Sequence, residues 1–172
     1  IILRLWSVIL GLGTIGFVYL IGRDLFDNHA GLASAMVVAV APFHVQYSQE
    51  IRMYSLLGFL LMSATWCFLQ ARQSNSKRWW IAFGLLVGLA MHTQQLAAFY
   101  LVAIGLVPFI ARRRSDIIGV VLGAGIAFVV YLPWLVNIPG QLQKVNSYYW
   151  IAPPGGLKLL VTLRSFLSVQ LD

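Results

Sequence analysis

Residues 5–21 read LWSVILGLGTIGFVYLI, and this uncharged run decides the fold class. Arg4 stands immediately before the run, and Arg23 and Asp24 follow it. Half-buried strands alternate polar and apolar residues, and amphipathic helices repeat them every three to four positions. A continuous apolar run approaching ~18 residues is instead typical of a membrane-spanning helix. The sequence therefore predicts that this run crosses a membrane.

The composition of the whole chain agrees with that interpretation. Of its 172 residues, 60 % are hydrophobic and 10 % are charged, and the mean hydropathy is +0.82. A soluble domain carries about 25 % charged residues. Cys67 is the single cysteine, so the chain can form neither an internal disulfide nor a cysteine metal site. We therefore expect an all-α, polytopic transmembrane helical bundle.

Further apolar runs predict about six membrane segments. The segments are residues 5–21, 30–45, 51–69, 79–91, 96–111 and 117–135. Several are shorter than the ~20 residues of a perpendicular span, so tilted or broken helices are expected. Residues 1–135 are thus predicted to be the helical part of a larger membrane domain. Residues 136–172 are expected to form an external loop and an amphipathic helix at the membrane surface.

The basic residues predict how the chain is oriented, because short cytoplasmic loops are enriched in lysine and arginine. Seven such residues fall in the short loops at one end, against two at the other. The seven are Arg23, Arg72, Lys77, Arg78, Arg112, Arg113 and Arg114, and the two are Arg4 and Arg52. We expect a multi-pass protein of the cell (inner) membrane whose other end faces the outside or periplasm. A net charge of +7 can indicate nucleic-acid binding. Here the basic residues lie at the ends of apolar runs, where membrane topology places them, so nucleic acid is not expected as a partner.

Residues 11–16, GLGTIG, match the glycine pattern of dinucleotide-binding loops. That function requires a preceding strand and a soluble βαβ unit, whereas these glycines lie inside an apolar run. The pairs Gly84/Gly88 and Gly119/Gly123 repeat a small-residue spacing that allows helices to approach closely. We interpret all three motifs as helix-packing sites.

Two polar clusters at the outward end are the strongest functional candidates. One contains Glu50, Arg52 and Tyr54, and the other contains His92 and Gln94. Because clustered polar groups at membrane depth normally line a cavity, we expect a pocket that opens outward. If the third helix has begun by Glu50, then Glu50 and Tyr54 share a face; in a non-helical link, Glu50 and Arg52 share a side. A salt bridge that merely marks a helix end would produce the same pattern.

Three stretches resemble the membrane glycosyltransferases of the family 39 type, which include relatives of the dolichyl-phosphate-mannose protein mannosyltransferases and of the aminoarabinose transferases. The stretches are RLWSVILGLGTIGFVYLIGRDLF, APFHVQYSQEIRMYSLL and WWIAFGLLVGLAMHTQQLAAFYL, in the family's order and spacing over residues 3–135. The strongest piece is YSQEIRMYSLL, residues 47–57. It is similar to the family's S-x-x-x-R-x-Y-(S/A)-L segment.

The resemblance implies a GT-C fold and an inverting transfer of mannose or a related sugar. The donor would be a polyprenyl-phosphate sugar, and the acceptor a glycan, lipid or protein at the outer face of the membrane. A carboxylate base would remove the acceptor's proton as its oxygen attacks the anomeric carbon and the lipid phosphate departs. A transporter or lipid flippase segment is the alternative, and it should show inverted repeats and broken helices at the bilayer midplane. A non-catalytic scaffold is the third interpretation.

The resemblance also implies roles for individual residues. In the family the acidic catalytic residue lies in the first external loop, so the base is expected upstream of Ile1, and residues 1–172 alone are expected to be inactive. Arg52 would pair with the donor phosphate or fix the acidic loop, with Tyr54 hydrogen-bonding nearby. Glu50 would orient Arg52 or help to hold a metal, which leaves a divalent metal open as a cofactor. His92 and Gln94 would belong to the pocket wall.

Overall fold

The computed structural model describes residues 2–50, 52–74, 76–141 and 143. Within these ranges the chain folds into α-helices and contains no strand, which confirms the all-α prediction. The helices are α1 (Ile2–Leu25), α2 (Asn28–Val40), α3 (Pro42–Gln49), α4 (Tyr54–Ser74), α5 (Lys77–Thr93), α6 (Ala97–Ala111) and α7 (Arg114–Leu135). Almost all of the predicted external loop and amphipathic helix at 136–172 lies outside the described residues, so that division of the chain stays a prediction.

Among the described residues, three helices are long and apolar enough to cross a membrane by themselves, namely Arg4–Leu25, Tyr54–Ser74 and Arg114–Leu135. Helices α2 and α3 together form a fourth candidate span, broken by a bend of 60°. Helices α5 and α6 have 17 and 15 residues, fewer than the ~20 of a perpendicular span. The polytopic membrane prediction is therefore confirmed, whereas the count of about six segments is confirmed only in part.

Pro42 separates α2 from α3. A proline has no amide hydrogen and disfavours helical backbone at the residue before it. Ala41 accordingly has extended backbone angles, with φ −64° and ψ 122°, and Pro42 stands at the start of α3. The predicted segment at residues 30–45 is therefore two helices, and α3 continues it to Gln49.

Glycines on α1 let neighbouring helices approach it closely. Gly11 lies against the Ser48 side chain of α3, and a Cβ at Gly22 would lie 2.9 Å from the Cα of Gly31 in α2. A Cβ at Gly16 would meet nothing within 4 Å. The glycine motif at residues 11–16 is thus a packing surface at Gly11 and at Gly13, which lies against Phe59, as predicted, whereas Gly16 has no such contact.

The glycine pairs of α5 and α7 lie in the contact between these two helices, which confirms their predicted packing role. A Cβ at Gly84 would lie 2.5 Å from the carbonyl oxygen of Gly123, and one at Gly88 would lie 2.8 Å from the Val130 side chain. Around this contact Phe83 is fully buried. Backbone against backbone is the closest approach that two helices can make, and only glycine permits it here.

Gly84→Ala is expected to lower the free energy of unfolding by about 1–3 kcal/mol, the usual cost of overpacking. The added methyl group would meet the Gly123 carbonyl, which cannot move without shifting α7. Gly125→Ala is the matched control, because a Cβ there meets nothing within 4 Å. Alanine's helix propensity should make the control neutral or up to about 1 kcal/mol stabilising. Denaturant unfolding of the whole protein in detergent measures both changes, and equal values would contradict the packing role.

Two carboxylates, one partly buried and one fully buried, connect helices at the basic end. Asp24 of α1 accepts hydrogen bonds from Trp66 Nε1 at 3.1 Å and Gln70 Nε2 at 2.7 Å, both on α4. Its other oxygen lies 2.8 Å from Arg23 Nη2. Asp24 therefore ties the end of α1 to α4.

Asp116 of α7 is the second such carboxylate, and its side chain is only 3 % exposed. Arg72 Nε on α4 donates to it at 2.9 Å, and Arg113 Nε lies 3.8 Å away. The Arg72 guanidinium also stands 5.6 Å from the centre of the Phe68 ring. Asp116 thus joins the last turn of α4 to the first turn of α7.

Candidate functional site

The candidate site begins in the link between α3 and α4. Glu50 follows α3 with extended backbone angles, φ −83° and ψ 144°, and α4 starts at Tyr54. Oε2 of Glu50 lies 3.5 Å from Nε of Arg52. Of the two arrangements that the sequence left open, the structure therefore has the non-helical link, in which Glu50 and Arg52 share a side.

The two charges of this pair are unequally exposed. The side chain of Glu50 is 34 % exposed and that of Arg52 is 66 % exposed. Oε2 of Glu50 is buried and has no hydrogen-bond partner among the described residues, so its contact with Arg52 is an ion pair of poor hydrogen-bond geometry. A buried carboxylate oxygen without a donor is unfavourable, and an additional donor would stabilise it. The open guanidinium keeps N–H groups available for an anionic ligand.

A cavity of about 230 Å³ lies between α1, α3 and α4. It is lined by Thr14, Phe43, His44, Tyr47, Ser48, Tyr54, Ser55 and Gly58. The rings of Tyr47 and Tyr54 pack with centroids 4.7 Å apart. The Ser55 hydroxyl donates to the Tyr47 carbonyl oxygen at 2.7 Å, which fixes the start of α4 against α3. Tyr54 therefore lines this cavity, and it follows Arg52 by two residues in the sequence.

His44 and Ser48 also line a second, smaller cavity of about 160 Å³, which extends between α1 and α3 toward Ala39. The Ser48 hydroxyl donates to the carbonyl oxygen of His44 at 2.7 Å. The imidazole thus stands where the two cavities meet. Sequence analysis missed His44 as a site residue, although its spacing of four from Ser48 places both on one helical face.

Thr14 is another lining residue that was not expected from the sequence. It is buried in α1, and its hydroxyl donates to the carbonyl oxygen of Leu10 at 2.9 Å. This hydrogen bond uses the hydroxyl proton, so the oxygen remains able to accept a hydrogen bond. Its position inside GLGTIG could have indicated this role, because a polar side chain among packing glycines lies at a contact between helices.

His92 and Gln94 lie at the end of α5 and face other partners. Nε2 of His92 is 2.8 Å from the carbonyl oxygen of Val130, and its ring packs edge-on against Tyr131 of α7. Gln94 caps α5 through its backbone N–H. Within the described part of the chain, no hydrogen bond or ion pair connects either residue to the α3–α4 link. The structure therefore brings Glu50 and Arg52 together and places Tyr54 in the wall of a cavity that neither charged residue lines. The binding roles of all five residues, including His92 and Gln94 in a pocket wall, stay predictions.

The catalytic base is expected at a position outside the described residues. Ile1, upstream of which the sequence places that base, lies outside the described residues, which begin at Ile2. The position of the base upstream of Ile1 therefore stays a prediction.

The described residues do not fit a complete metal site. In those residues no group of three or more His, Cys, Asp or Glu side chains comes together as metal ligands would. Glu50 supplies one carboxylate, whose neighbour is the cationic Arg52. A role for Glu50 in holding a metal therefore stays a prediction, and no chemical step here is assigned to a metal.

The arrangement is chemically suited to a ligand that is both polar and anionic. Tyrosine rings and hydroxyl groups line the cavity, and such groups bind the faces and hydroxyls of small polar ligands. The guanidinium of Arg52, two residues before Tyr54 in the sequence, has the planar donor geometry that matches phosphate or carboxylate oxygens. The link could hold the charged part of a ligand while the cavity holds its uncharged part.

Comparison with known proteins adds a family and two relatives. The chain matches the family model described as dolichyl-phosphate-mannose-protein mannosyltransferase over residues 2–136. In Bacillus subtilis (strain 168), "Putative mannosyltransferase YkcB" is 27 % identical over 148 residues, covering 79 % of this chain and 21 % of the relative. "Putative mannosyltransferase YycA" of the same organism is 30 % identical over 152 residues, covering 83 % of this chain and 22 % of the relative. The chain thus spans about a fifth of the length of these relatives. No solved structure matches it.

Proposed function

Since this chain belongs to the dolichyl-phosphate-mannose-protein mannosyltransferase family, we propose that the whole protein moves mannose or a related sugar from a polyprenyl-phosphate donor to an acceptor. The acceptor is a glycan, lipid or protein at the outer face of the membrane, and the transfer inverts the anomeric carbon. Two relatives named as mannosyltransferases support sugar transfer as the activity. The concentration of basic residues at the opposite end of the helices supports an outward-facing site.

One observation carries the proposal: the exposed guanidinium of Arg52 stands beside the Glu50 carboxylate, two residues before a tyrosine-lined cavity. As the bond between the anomeric carbon and the phosphate oxygen breaks, negative charge grows on the leaving phosphate. Arg52 donates charge-assisted hydrogen bonds to that phosphate, and these bonds strengthen as the charge develops. The Glu50 carboxylate holds the Arg52 guanidinium on the side of the α3–α4 link where the phosphate would bind.

The cavity holds the sugar in this proposal. The Tyr47 and Tyr54 rings give it an aromatic wall, and the hydroxyls of Thr14 and Ser48 supply polar contacts for sugar hydroxyls. His44 stands at the junction with the second cavity and contributes a further ring nitrogen. The phosphate at Arg52 and the sugar in the cavity would then lie next to each other, as they must in one donor molecule.

We place the base that accepts the acceptor's proton upstream of Ile1, as the family resemblance implies. Asp24 and Asp116 are already engaged in ion pairs at the basic end. Asp27 caps α2 by accepting from the Ala30 N–H at 2.7 Å. Glu50 is the remaining acidic residue of the described ranges, and its position beside Arg52 suits orientation of that side chain better than proton transfer.

Gly58→Leu tests the proposal by filling the cavity. The nearest atom to a Cβ at Gly58 is Thr14 Oγ1 at 4.0 Å, so the leucine can enter the cavity without displacing backbone. The expected result is a rise of about tenfold in KM for the donor, corresponding to ~1.4 kcal/mol of lost binding. The measurement is transfer of radiolabelled mannose from polyprenyl-phosphate mannose by the whole protein in membranes that contain its native acceptors.

The matched control is Gly16→Leu, because a Cβ at Gly16 also meets open space but lies outside both cavities. It should leave KM unchanged. If the wild-type protein transfers no label from this donor, the proposed reaction is wrong. If Gly58→Leu and Gly16→Leu behave alike while the wild type is active, the cavity assignment is wrong and the reaction stands.

A further inference from the structure

We propose that a groove between α5 and α7 binds an anionic glycerophospholipid of the membrane, with the phosphate at Lys77 and an acyl chain along α7. The site lies at the basic end of the helices, opposite Arg52, and it is independent of the proposed sugar transfer. The lipid would belong to the leaflet that faces away from the transfer site.

Two adjoining cavities form this groove. The first, of about 230 Å³, is lined by Lys77, Trp80, Ser115, Ile118, Gly119 and Leu122. The second, of about 530 Å³, is lined by Leu85 of α5 and by apolar residues of α7 between 121 and 130. Leu122 lines both cavities, so they join end to end. We call the two together the α5–α7 groove.

The groove changes from polar to apolar along its length, as a phospholipid does. Its first part offers the Lys77 ammonium and the Ser115 hydroxyl. Ser115 donates to Asp116 over a long 3.3 Å, a weak hydrogen bond that a phosphate oxygen can replace. From Leu122 onward the named lining residues are all apolar. A phosphate therefore fits the first part, and a hydrocarbon chain fits the second.

The charge balance around the first part favours an anion. Asp24 and Asp116 pair with Arg23, Arg72 and Arg113. The remaining cations at this end form no ion pair with any carboxylate of the described ranges; they are Lys77, Arg78, Arg112 and Arg114. Basic pockets between membrane helices on the cytoplasmic side are known to bind anionic lipid headgroups. Of the four unpaired cations, Lys77 is the one whose side chain lines the groove.

The length of the groove suits an acyl chain. From Ser115 to Val129 the axis of α7 rises about 20 Å at 1.5 Å per residue. One leaflet accounts for about half of the ~30 Å hydrocarbon core, so a chain that starts at the phosphate level can follow the groove through its leaflet. Gly125 contributes no side chain to this path, and a Cβ there would meet nothing within 4 Å. The path is thus open at its middle.

The test uses the whole protein in detergent and counts retained phosphatidylglycerol and phosphatidylcholine by native mass spectrometry during lipid titration. Lys77→Gln should weaken phosphatidylglycerol binding about fivefold, the effect of one basic residue at the headgroup level, and leave phosphatidylcholine unchanged. Arg78→Gln is the matched control and should change binding less than about twofold, because Arg78 is unpaired but does not line the groove. Gly125→Leu should block the chain and weaken both lipids, whereas Gly16→Leu should weaken neither.

Several outcomes would overturn the proposal. Equal losses for Lys77→Gln and Arg78→Gln would mean diffuse attraction without a site. Unchanged binding in Gly125→Leu would remove the acyl-chain path. Displacement of phosphatidylglycerol by glycerol phosphate, which has the headgroup charge but no chains, would reduce the groove to a phosphate site. If another part of the same protein covers the groove, the wild type will retain no more phosphatidylglycerol than Gly125→Leu, and the proposal is wrong.

Discussion

Replacing Arg52 with alanine is expected to abolish sugar transfer while the amount of protein in the membrane stays normal. The side chain is 66 % exposed, and its ion pair with Glu50 spans 3.5 Å. Exposed ion pairs contribute only about 0–1 kcal/mol to stability, so the fold should tolerate the loss. Removing one preorganised donor to a developing negative charge lowers kcat by about 10²–10³-fold, which brings transfer close to background.

Arg4→Ala is the matched control, because Arg4 is the other arginine predicted for the outward end and is exposed. Transfer of labelled mannose, normalised to protein detected in the same membranes, gives the comparison. Arg52→Lys keeps the charge but loses the planar pair of donors, so it should retain part of the activity. Undiminished transfer in Arg52→Ala would remove this residue from the site.

Arg72→Met is expected to be the most destabilising of the proposed substitutions, lowering the free energy of unfolding by about 3 kcal/mol. It would leave the Asp116 carboxylate, 3 % exposed, without its 2.9 Å partner. Arg113 would remain at 3.8 Å, too far for a good hydrogen bond. Methionine retains the contact with the Phe68 ring, so the measured loss reports mainly the unpaired buried charge. Denaturant unfolding of the whole protein in detergent gives the value.

Arg78→Met serves as the control, because Arg78 is exposed and has no ion pair with a described carboxylate. Its effect should stay within about 0.5 kcal/mol. Adding Asp116→Leu to Arg72→Met should restore much of the lost stability, since it removes the stranded charge. If Arg72→Met is as stable as the wild type, Asp116 does not depend on this pair.

The fold class and the helix-packing sites could be predicted because their signals are local. A run such as residues 5–21 is apolar whatever surrounds it, and the spacing of Gly84 and Gly88 places both on one helical face. The 60° bend at Pro42 was harder to predict, since a proline can either kink a membrane helix or end it. Which one occurs depends on the packing of α3 against α1, and the sequence does not display that contact.

The candidate site could be predicted only in part, because some of its features are local in sequence and others depend on helix packing. Glu50, Arg52 and Tyr54 could be singled out because charged and polar residues cluster there in an otherwise apolar chain. Whether Glu50 faces Arg52 depends on where α4 begins, and a shift of a few residues reverses the answer. His44 is one of several polar residues of α3, and its place between two cavities exists only once α1 lies beside it.

The hydrogen bonds of Asp24 constrain the order in which the chain is assembled during synthesis. Trp66 follows Asp24 by 42 residues and Gln70 by 46, so the carboxylate leaves the ribosome before either donor does. In that interval Arg23, its immediate neighbour, can neutralise the charge. Helix α1 therefore leaves the ribosome with an acid whose hydrogen-bond donors emerge only later, and its final contacts must wait for α4.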